Sequence, residues 1–368
     1  MNKKFDLLVF VGRMSPFHLG HKAVIDAALD QSENVLVLLG SAGKARTVRN
    51  PFTFEERMAM IVGTYEDRSA NERLAGEVPT LERLFIEPLF DKTYNDTAWI
   101  KQVQDTVNET ALNIINDGGF RNHGTADLKI GLIGAAKDHT SYYLKLFPQW
   151  ESVNVPVEGA IHATNIREGY LRGTFERYQL ESTLLPKAVS HFLFDEGSFK
   201  DSEHYRRLQK EINHVDKYKK SWSAAPYPVK HFTADAVVEQ SGHILLVKRK
   251  AVPGKGLWAL PGGHVDEYEP VENAVFRELD EETKIKVPLA VLKGSVVNER
   301  LFDDPYRSTI GRVITYAKHI RLTGDTKLPK VKGSDDAEKA KWFPISDIRE
   351  DMMFDDHYHV INFFLGID

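Results

Sequence analysis

"GRMSPFHLGH", residues 12–21, stands between the apolar run "DLLVFV" (6–11) and the segment "LGHKAVIDAALDQ" (19–31). The run is continuously apolar, as in a strand buried on both faces, and the segment after it reads as a helix, so the stretch is a strand-to-helix turn. His18 and His21 bracket Leu19 and Gly20 at that turn. Glycine lets backbone approach a ligand closely, and a helix N-terminus presents unpaired N–H groups to anions. Two histidines that merely open a helix on the surface would look the same. The rest of the chain has to decide.

The pattern recurs. "NVLVLLG" (34–40) reads as a second strand, followed by a helix at "FTFEERMAMIVGTY" (52–65). "RLFIEPL" (83–89) is a third strand, "TAWIKQVQDTVNETALNII" (97–115) a long helix, and "LKIGLIG" (128–134) and "ESVNVPV" (151–157) complete the set. Continuous strands separated by helices predict a doubly wound parallel sheet covered on both faces. Ligands of such sheets lie beyond the carboxyl ends of the strands, where residues 12–21 fall. From about residue 186 the chain becomes polar and charge-rich, and "SAAPYP" (223–228) reads as a boundary. Beyond it, "HFTADAVVEQSGHILLVKRK" (231–250) suggests two strands joined at Ser241-Gly242. A chain of 368 residues exceeds what one core usually absorbs. The expected organisation is a domain at 1–185, a partly helical linker at 186–228 and a second domain at 229–368.

Composition narrows the function classes. A net charge of −5 argues against a protein held on nucleic acid by bulk electrostatics. Absence of cysteine excludes disulfides, cysteine-ligated zinc and thiol nucleophiles. Asp6 interrupts the apolar run of "MNKKFDLLVFVG", no small-residue cleavage site follows, and no later stretch reaches membrane-spanning length. A cytoplasmic protein acting on small molecules, without nucleic-acid or membrane partners, is expected; a homo-oligomer is compatible with the sequence.

The most specific chemistry lies in "GGHVDEYEPVENAVFRELDEETKI" (262–285). Pro270 suits the first helical position, and Val271, Val275 and Leu279 recur every four residues as an apolar face. Glu278, Glu281 and Glu282 share another face. Three like charges so close repel, which a divalent cation relieves, and oxygen-only donors favour Mg²⁺ or Mn²⁺. A solvated acidic face is the plain alternative.

Spacing separates the two. The stretch resembles the Nudix box, G-x5-E-x7-R-E-U-x-E-E-x-G-U with U aliphatic, at Gly263, Glu269, Arg277, Glu278, Leu279, Glu281, Glu282 and Ile285. Lys284 stands where the box has glycine, which puts the local turn rather than the chemistry in question. The resemblance implies an α/β/α sandwich that hydrolyses a nucleoside diphosphate linked to another moiety. Metal ions at Glu278, Glu281 and Glu282 would neutralise charge and activate water, and Arg277 would orient the glutamates. Glu278, Glu282 or a downstream carboxylate (Asp335, Asp336 or Glu338) would take the water's proton. "NERLFDDPYRSTIGRVITYAKHI" (298–320) resembles the R-x-x-x-G-R segment of ADP-ribose-type Nudix hydrolases, which assigns Arg307 and Arg312 to phosphate. Trp258 is a candidate to stack on adenine, with core packing as the alternative.

In this light "GRMSPFHLGH" resembles the nucleotidyltransferase signature G-x-F-x-P-x-H-x-G-H, with Gly12, Pro16, His18, Gly20 and His21 in register and Met14 in the aromatic position. Nucleotidyl transfer needs no protein nucleophile, only positioning and charge stabilisation. "IHATNIREGYLRG" (161–173) resembles the I-S-x-T-x-x-R element of nicotinamide mononucleotide (NMN) adenylyltransferases at Thr164 and Arg167, with His162 in place of serine. Apart from that resemblance, Thr164 would be an ordinary N-cap. "GSAGKARTVRNPFTFEER" (40–57) resembles the archaeal-type loop ending in N-P-F-T, with Asn50, Pro51, Phe52, Thr53 and Arg57 matching. "PLFDKTYNDTAWI" (88–100) is similar to the family's nicotinamide-binding segment at Trp99, and "GAAKDHTSYYLKLFPQW" (134–150) offers Asp138 to ribose or phosphate.

Together the two halves resemble the bifunctional NMN adenylyltransferase/Nudix hydrolases, which implies a Rossmann-like domain followed by a Nudix sandwich. On that resemblance His18 and His21 stabilise the transferring phosphates, and Arg167 with Lys44 or Arg46 holds the β,γ-phosphates of ATP. Gly12 and Arg13 belong to the same cradle. The hydrolase is expected to prefer ADP-ribose, since cleaving NAD would undo the first reaction. NAD(H) or another nucleoside diphosphate derivative remains an alternative substrate, a regulatory nucleotide-binding module an alternative role, and FMN or pantetheine phosphate alternative acceptors.

Overall fold

A computed structural model describes residues 3–116, 128–135, 145–156, 162–181, 183–324, 327–333 and 337–367. Two units emerge, one formed by Met1–Asp91 and Asp96–Gln209, the other by Lys92–Asn95 and Lys210–Asp368. Residues 186–228 are thus divided: the part up to Gln209 belongs to the first unit and the remainder to the second. Among the described residues no helix is long and apolar enough to cross a membrane.

The first unit is built on five parallel strands: β1 (Phe5–Gly12), β2 (Ser32–Leu39), β3 (Leu84–Pro88), β4 (Ile130–Gly134) and β5 (Glu151–Asn154). Their spatial order is β3-β2-β1-β4-β5, so the chain reverses direction across the sheet beside β1. Leu7 to Val9 of β1 are wholly buried, as the continuous apolar run predicts. Connecting helices are α1 (Leu19–Gln31), α2 (Phe54–Leu74) and α3 (Asp96–Asn116). One face of α3, through Val103, Val107, Ala111 and Ile114, closes a core with Leu7, Val9, Leu36 and Leu132. Later helices follow: α4 (Ala163–Arg172), the single turn α5 (Arg177–Leu180) and α6 (Lys187–Phe194). A further helix, α7 (Glu203–Ser221), contains the boundary between the units. Phe52 at the start of α2 stacks edge-on with Phe192 of α6 and with Phe199, so residues after 186 complete this unit's packing.

The second unit holds β6 (Lys230–Gln240), β7 (His243–Arg249), β8 (Trp258–Ala259) and β9 (Gly262–His264). α8 (Val271–Thr283) and the short α9 (Leu289–Gly294) follow, then β10 (Val296–Phe302), β11 (Arg312–Arg321), β12 (Ala337–Pro344) and α10 (His357–Leu365). The sheet runs β10-β11-β6-β7-β12, with β8 on β7 and β9 on β6, and it is mixed because β11 and β6 are parallel. β6 and β7 form the hairpin expected at Ser241-Gly242, whose φ values of 49° and 71° fit a tight two-residue turn. Val275 and Leu279 of α8 enter one core with Ala234, Ala236 and Val238 of β6, and Val360, Ile361 and Phe364 of α10 enter a second with Val237, Ile244 and Leu246. Successive residues of β6 therefore face different helices, which gives the α/β/α layering.

Lys284 explains the glycine of the box. It caps α8 at φ 45° and ψ 38°, donating its N–H to the Asp280 carbonyl at 2.8 Å. That left-handed conformation costs a residue with a Cβ about 1–2 kcal/mol, and only a surface ion pair with Asp280 at 3.5 Å accompanies it. Replacing Lys284 by glycine should therefore raise the second unit's stability by about 0.5–1 kcal/mol after the added unfolded-chain entropy. The denaturant midpoint of that unit measures it.

Candidate functional site

In the first unit the site grows from the carboxyl ends of β1 and β2. His18 is the N-cap of α1, and its Nδ1 accepts from the N–H groups of Gly20 at 3.1 Å and His21 at 3.3 Å. His21 reciprocates, its Nδ1 accepting from the His18 N–H at 3.4 Å. The rings stack with centroids 3.6 Å apart. Because each Nδ1 is an acceptor, each ring carries its proton on Nε2, so the pair presents donors beside the helix N-terminus. His18 is 3% exposed, so this arrangement is rigidly packed. Met14 is buried at φ 48°, its side chain against Gly12; the position that the signature gives to an aromatic is filled by another apolar group.

Two buried arginines hold the surrounding loops. Arg57 donates from Nη1 to the carbonyls of Arg13 at 2.6 Å and Gly40 at 2.7 Å, and from Nε to Thr53 at 3.1 Å. Arg167 donates from Nε to the Val48 carbonyl at 3.1 Å, from Nη1 to Ser15 at 2.7 Å and from Nη2 to the Thr164 hydroxyl at 3.3 Å. Where the sequence suggests a phosphate ligand, Arg167 thus ties protein groups together. Thr164 lies inside α4 and His162 is its N-cap, which corrects the simple capping reading. Burial, reinforced by the charge of Arg13, pushes both guanidiniums down to about 10 (for Arg57 after the opposing pull of Asp91), and Arg49 adds to the effect on Arg167. Both stay charged at neutral pH, inside a field that attracts anions.

The other expected residues are placed as follows. Arg46 forks onto Glu56 at 2.7 Å and bonds the Pro51 carbonyl; Lys44 lies 3.8 Å from Asp91. Asn50 closes a tight turn with Thr47, and Arg13 is exposed. Trp99, on the first turn of α3, is half-buried with its ring 6.1 Å from Phe147. Asp138 lies outside the described residues.

The second unit contains a cavity of about 290 Å³ beside β9, lined among others by Asp235, Gly262, Glu282, Arg307 and Asp355. Arg277 of α8 binds Glu269 at 2.8 Å, Glu278 at 2.9 Å and Glu281 at 2.9 Å, and donates to the His264 carbonyl at 3.1 Å. The box arginine is therefore the hub of its carboxylates. Glu278 packs so close to Gly263 that a Cβ there would lie 2.6 Å from Oε1, so a side chain at this position would push the Glu278 carboxylate aside. Glu282 accepts from the Gly262 N–H at 3.0 Å, and burial, with the charges of Glu278 and Asp235, pushes its carboxyl up to about 8. Burial also raises Glu278, against the opposing pull of Arg277. Buried carboxylates that repel one another are a donor set a divalent cation fits. Glu281 is directed to Arg277, and among the described residues no three acidic or histidine groups form a ready coordination sphere.

Arg307 lines the cavity but forks onto Asp356 at 2.8 and 2.9 Å, both side chains being almost wholly buried. Arg312 pairs with Asp303 at 3.0 Å, and Trp258 packs edge-on against Phe343 with centroids 4.6 Å apart; neither lines the cavity. Glu338 faces Lys248 at 3.8 Å, while Asp335 and Asp336 lie outside the described residues. Sequence reasoning missed Asp235, Asp355 and His357. Asp235 accepts from the Thr315 hydroxyl, and His357 Nδ1 accepts from the Leu260 N–H at 2.9 Å. Asp355 has φ 45°, and burial together with the Asp356 charge pushes its carboxyl up to about 7. Only the pairing of acids and histidines in "DDHYH" (355–359) hints at Asp355 and His357, and nothing hints at Asp235.

Comparison with known proteins places both halves. Residues 229–364 match the NUDIX domain model and residues 9–111 the cytidylyltransferase-like model. The nicotinamide/nicotinic acid mononucleotide adenylyltransferase of Acinetobacter baylyi is 37% identical over 214 residues, covering 58% of this chain and 96% of that protein. The ADP-ribose pyrophosphatase of Methanocaldococcus jannaschii is 36% identical over 114 residues, 31% of this chain and 62% of that protein. A crystal structure from Francisella tularensis, of a bifunctional NMN adenylyltransferase/ADP ribose pyrophosphatase with AMP and a manganese ion, matches with a TM-score of 0.84. That protein is 32% identical, and the match covers 98% of this chain and 99% of that one.

Asp355 sets a pH dependence. Its folded-state value near 7 exceeds the roughly 3.9 of an unfolded aspartate, so between these the folded form binds the extra proton. Stability from this group is therefore full below about pH 4, falls as pH rises to 7 and is level above. Asp355→Asn, which tolerates the left-handed backbone, should unfold at a higher denaturant midpoint than the parent at pH 7.5, with the advantage shrinking towards pH 4.

Proposed function

The chain belongs to the family of bifunctional NMN adenylyltransferase/ADP-ribose pyrophosphatases, and from that premise we propose that it carries out both reactions. The first unit joins ATP and NMN to give NAD and pyrophosphate; the second hydrolyses ADP-ribose to AMP and ribose 5-phosphate. The observation that carries this reading is the likeness along the full chain to the Francisella protein. Local geometry supports it in part: His18 and His21 stack at the start of α1, and Arg277 gathers Glu269, Glu278 and Glu281.

In the first unit the NMN phosphate attacks the α-phosphorus of ATP and pyrophosphate departs. His18 and His21 donate from Nε2 to the charge that develops, beside the N-terminus of α1. Gly12 leaves room for the phosphates, and Arg13, Lys44, Arg46 and Asn50 surround them. Arg167 and Arg57 act as positioning residues that hold the loops, with Thr164 as a partner. Trp99 packs against nicotinamide, and the assignment of Asp138 to ribose or phosphate rests on the family resemblance alone.

In the second unit Glu278, Glu281 and Glu282 would hold Mg²⁺ or Mn²⁺. When bound, such an ion neutralises diphosphate charge and makes a water more acidic. Arg277 keeps Glu278 and Glu281 in place. Asp355, which lines the cavity, is raised towards neutrality and is not among the ion-holding glutamates, is suited to take the water's proton, with Glu278 or Glu282 as the alternatives within the box. Arg307 borders the diphosphate, while Arg312 and Trp258 lie outside the cavity wall.

The two activities should separate by mutation. Glu282→Gln should lower ADP-ribose hydrolysis by at least about a hundredfold and spare NAD synthesis, and His21→Ala should do the converse. Steady-state assays with ATP plus NMN, and with ADP-ribose, NADH and NAD compared, provide the measurement. No turnover of NMN would remove the first assignment, and a preference for NADH would replace ADP-ribose as the second unit's substrate.

A further inference from the structure

The hydrolase cavity is lined by two kinds of group: Glu282, Arg307 and Asp355 with the glycines of β9, and His214 and Tyr218 of α7. These two residues are four apart on one helix and so share a face. Tyr218 is half-buried and takes no part in the unit's apolar cores. It belongs instead to an aromatic cluster with Trp222, 6.3 Å away between centroids, and His231, 5.5 Å away. Its hydroxyl lies 3.4 Å from His231 Nδ1, and the ring of His231 meets that of His264 edge-on at 5.7 Å. His264 ends β9, beside the box glycines, so aromatic contacts run from the catalytic strand to α7. Trp222 and His231 also line a second, more open cavity of about 400 Å³, and Ile310 borders both.

A nucleoside diphosphate sugar has both corresponding parts: a charged diphosphate and a flat base. The geometry points to Tyr218, with His214 beside it, as the wall on which the nucleobase of the hydrolase substrate stacks, Trp222 and His231 holding the Tyr218 ring in place. This assignment rests on the hydrolase reading above and makes the segment before the second domain part of its substrate site. Stacking on an aromatic face tolerates any base, so the wall supplies affinity for the nucleoside end rather than a choice among bases.

The test uses the full chain, with thermal melting to confirm folding, and measures ADP-ribose hydrolysis with AMP and ribose 5-phosphate as inhibitors. Tyr218→Leu should raise KM for ADP-ribose about five- to fiftyfold while kcat changes far less. It should weaken inhibition by AMP by a similar factor and leave inhibition by base-free ribose 5-phosphate in place. Tyr218→Phe, which keeps the ring, should restore the parent KM, and His214→Ala should show a smaller loss of the same kind. Parent values of KM and AMP inhibition in Tyr218→Leu would overturn the wall while leaving the hydrolase assignment standing. Equal loss of both inhibitors would also overturn it, since that would mark a general distortion. A parent chain inert towards ADP-ribose would overturn the hydrolase reading and the wall with it.

Discussion

A guanidinium withdrawn from water must find acceptors for its five N–H groups, and both sites are organised around arginines under that constraint. Arg57 finds them in the carbonyls of Arg13 and Gly40, at the ends of β1 and β2, and Arg167 finds them in Ser15 and Val48. The loops at the sheet edge thereby keep one shape, and the histidine pair at the start of α1 is held beside them. Arg277 has the equivalent place in the second unit, gathering Glu269, Glu278 and Glu281. Removing any of these arginines leaves carbonyls or carboxylates unmatched, a larger disturbance than losing one contact to a ligand.

This arrangement changes how the basic residues are understood. The family resemblances make Arg46, Arg167, Arg307 and Arg312 phosphate ligands, yet each has protein acceptors in the folded chain. Their charges still shape the site's field, because neighbouring guanidiniums act on one another through a partly desolvated interior. Charge and contact are thus separate contributions: several arginines build the scaffold, and the field they share attracts the anion. In the second unit the reverse holds. Burial of Glu278 and Glu282 concentrates negative charge that the protein only partly offsets, which suits a divalent cation.

Much of this was legible before folding. Helix α1 spans the residues its pattern marks, the apolar runs of β1, β2 and β4 became buried parallel strands while β3 and β5 at the sheet edges are more exposed, and Ser241-Gly242 became the predicted hairpin turn. These features are local: they depend on burial periodicity and on backbone preferences that neighbouring residues reveal. Asp235, Asp355 and His357 had no such signal, because they converge on the cavity from β6 and from the start of α10, about 120 residues apart in the chain. Trp258 illustrates the opposite limit. Its position before the box glycines left base stacking and core packing both open; its indole packs on Phe343, whereas Tyr218 of α7, beside His231 of β6, lines the cavity.

The sequence by itself placed His18 and His21 at one turn and Glu278, Glu281 and Glu282 on one helix face, since that much follows from helix geometry, and the resemblance of the two motifs to known families supplied the chemistries. It determined the strand pattern for the same reason. Tertiary structure decided which charges remain available and which are matched internally, because a partner's identity depends on residues far away in the chain. It also decided the fate of Lys284, whose left-handed cap preserves the turn that glycine makes in the box, and it brought His214 and Tyr218 of a charge-rich segment to the hydrolase cavity. Desolvation produces both outcomes, and no stretch of sequence states how deeply a group will be buried.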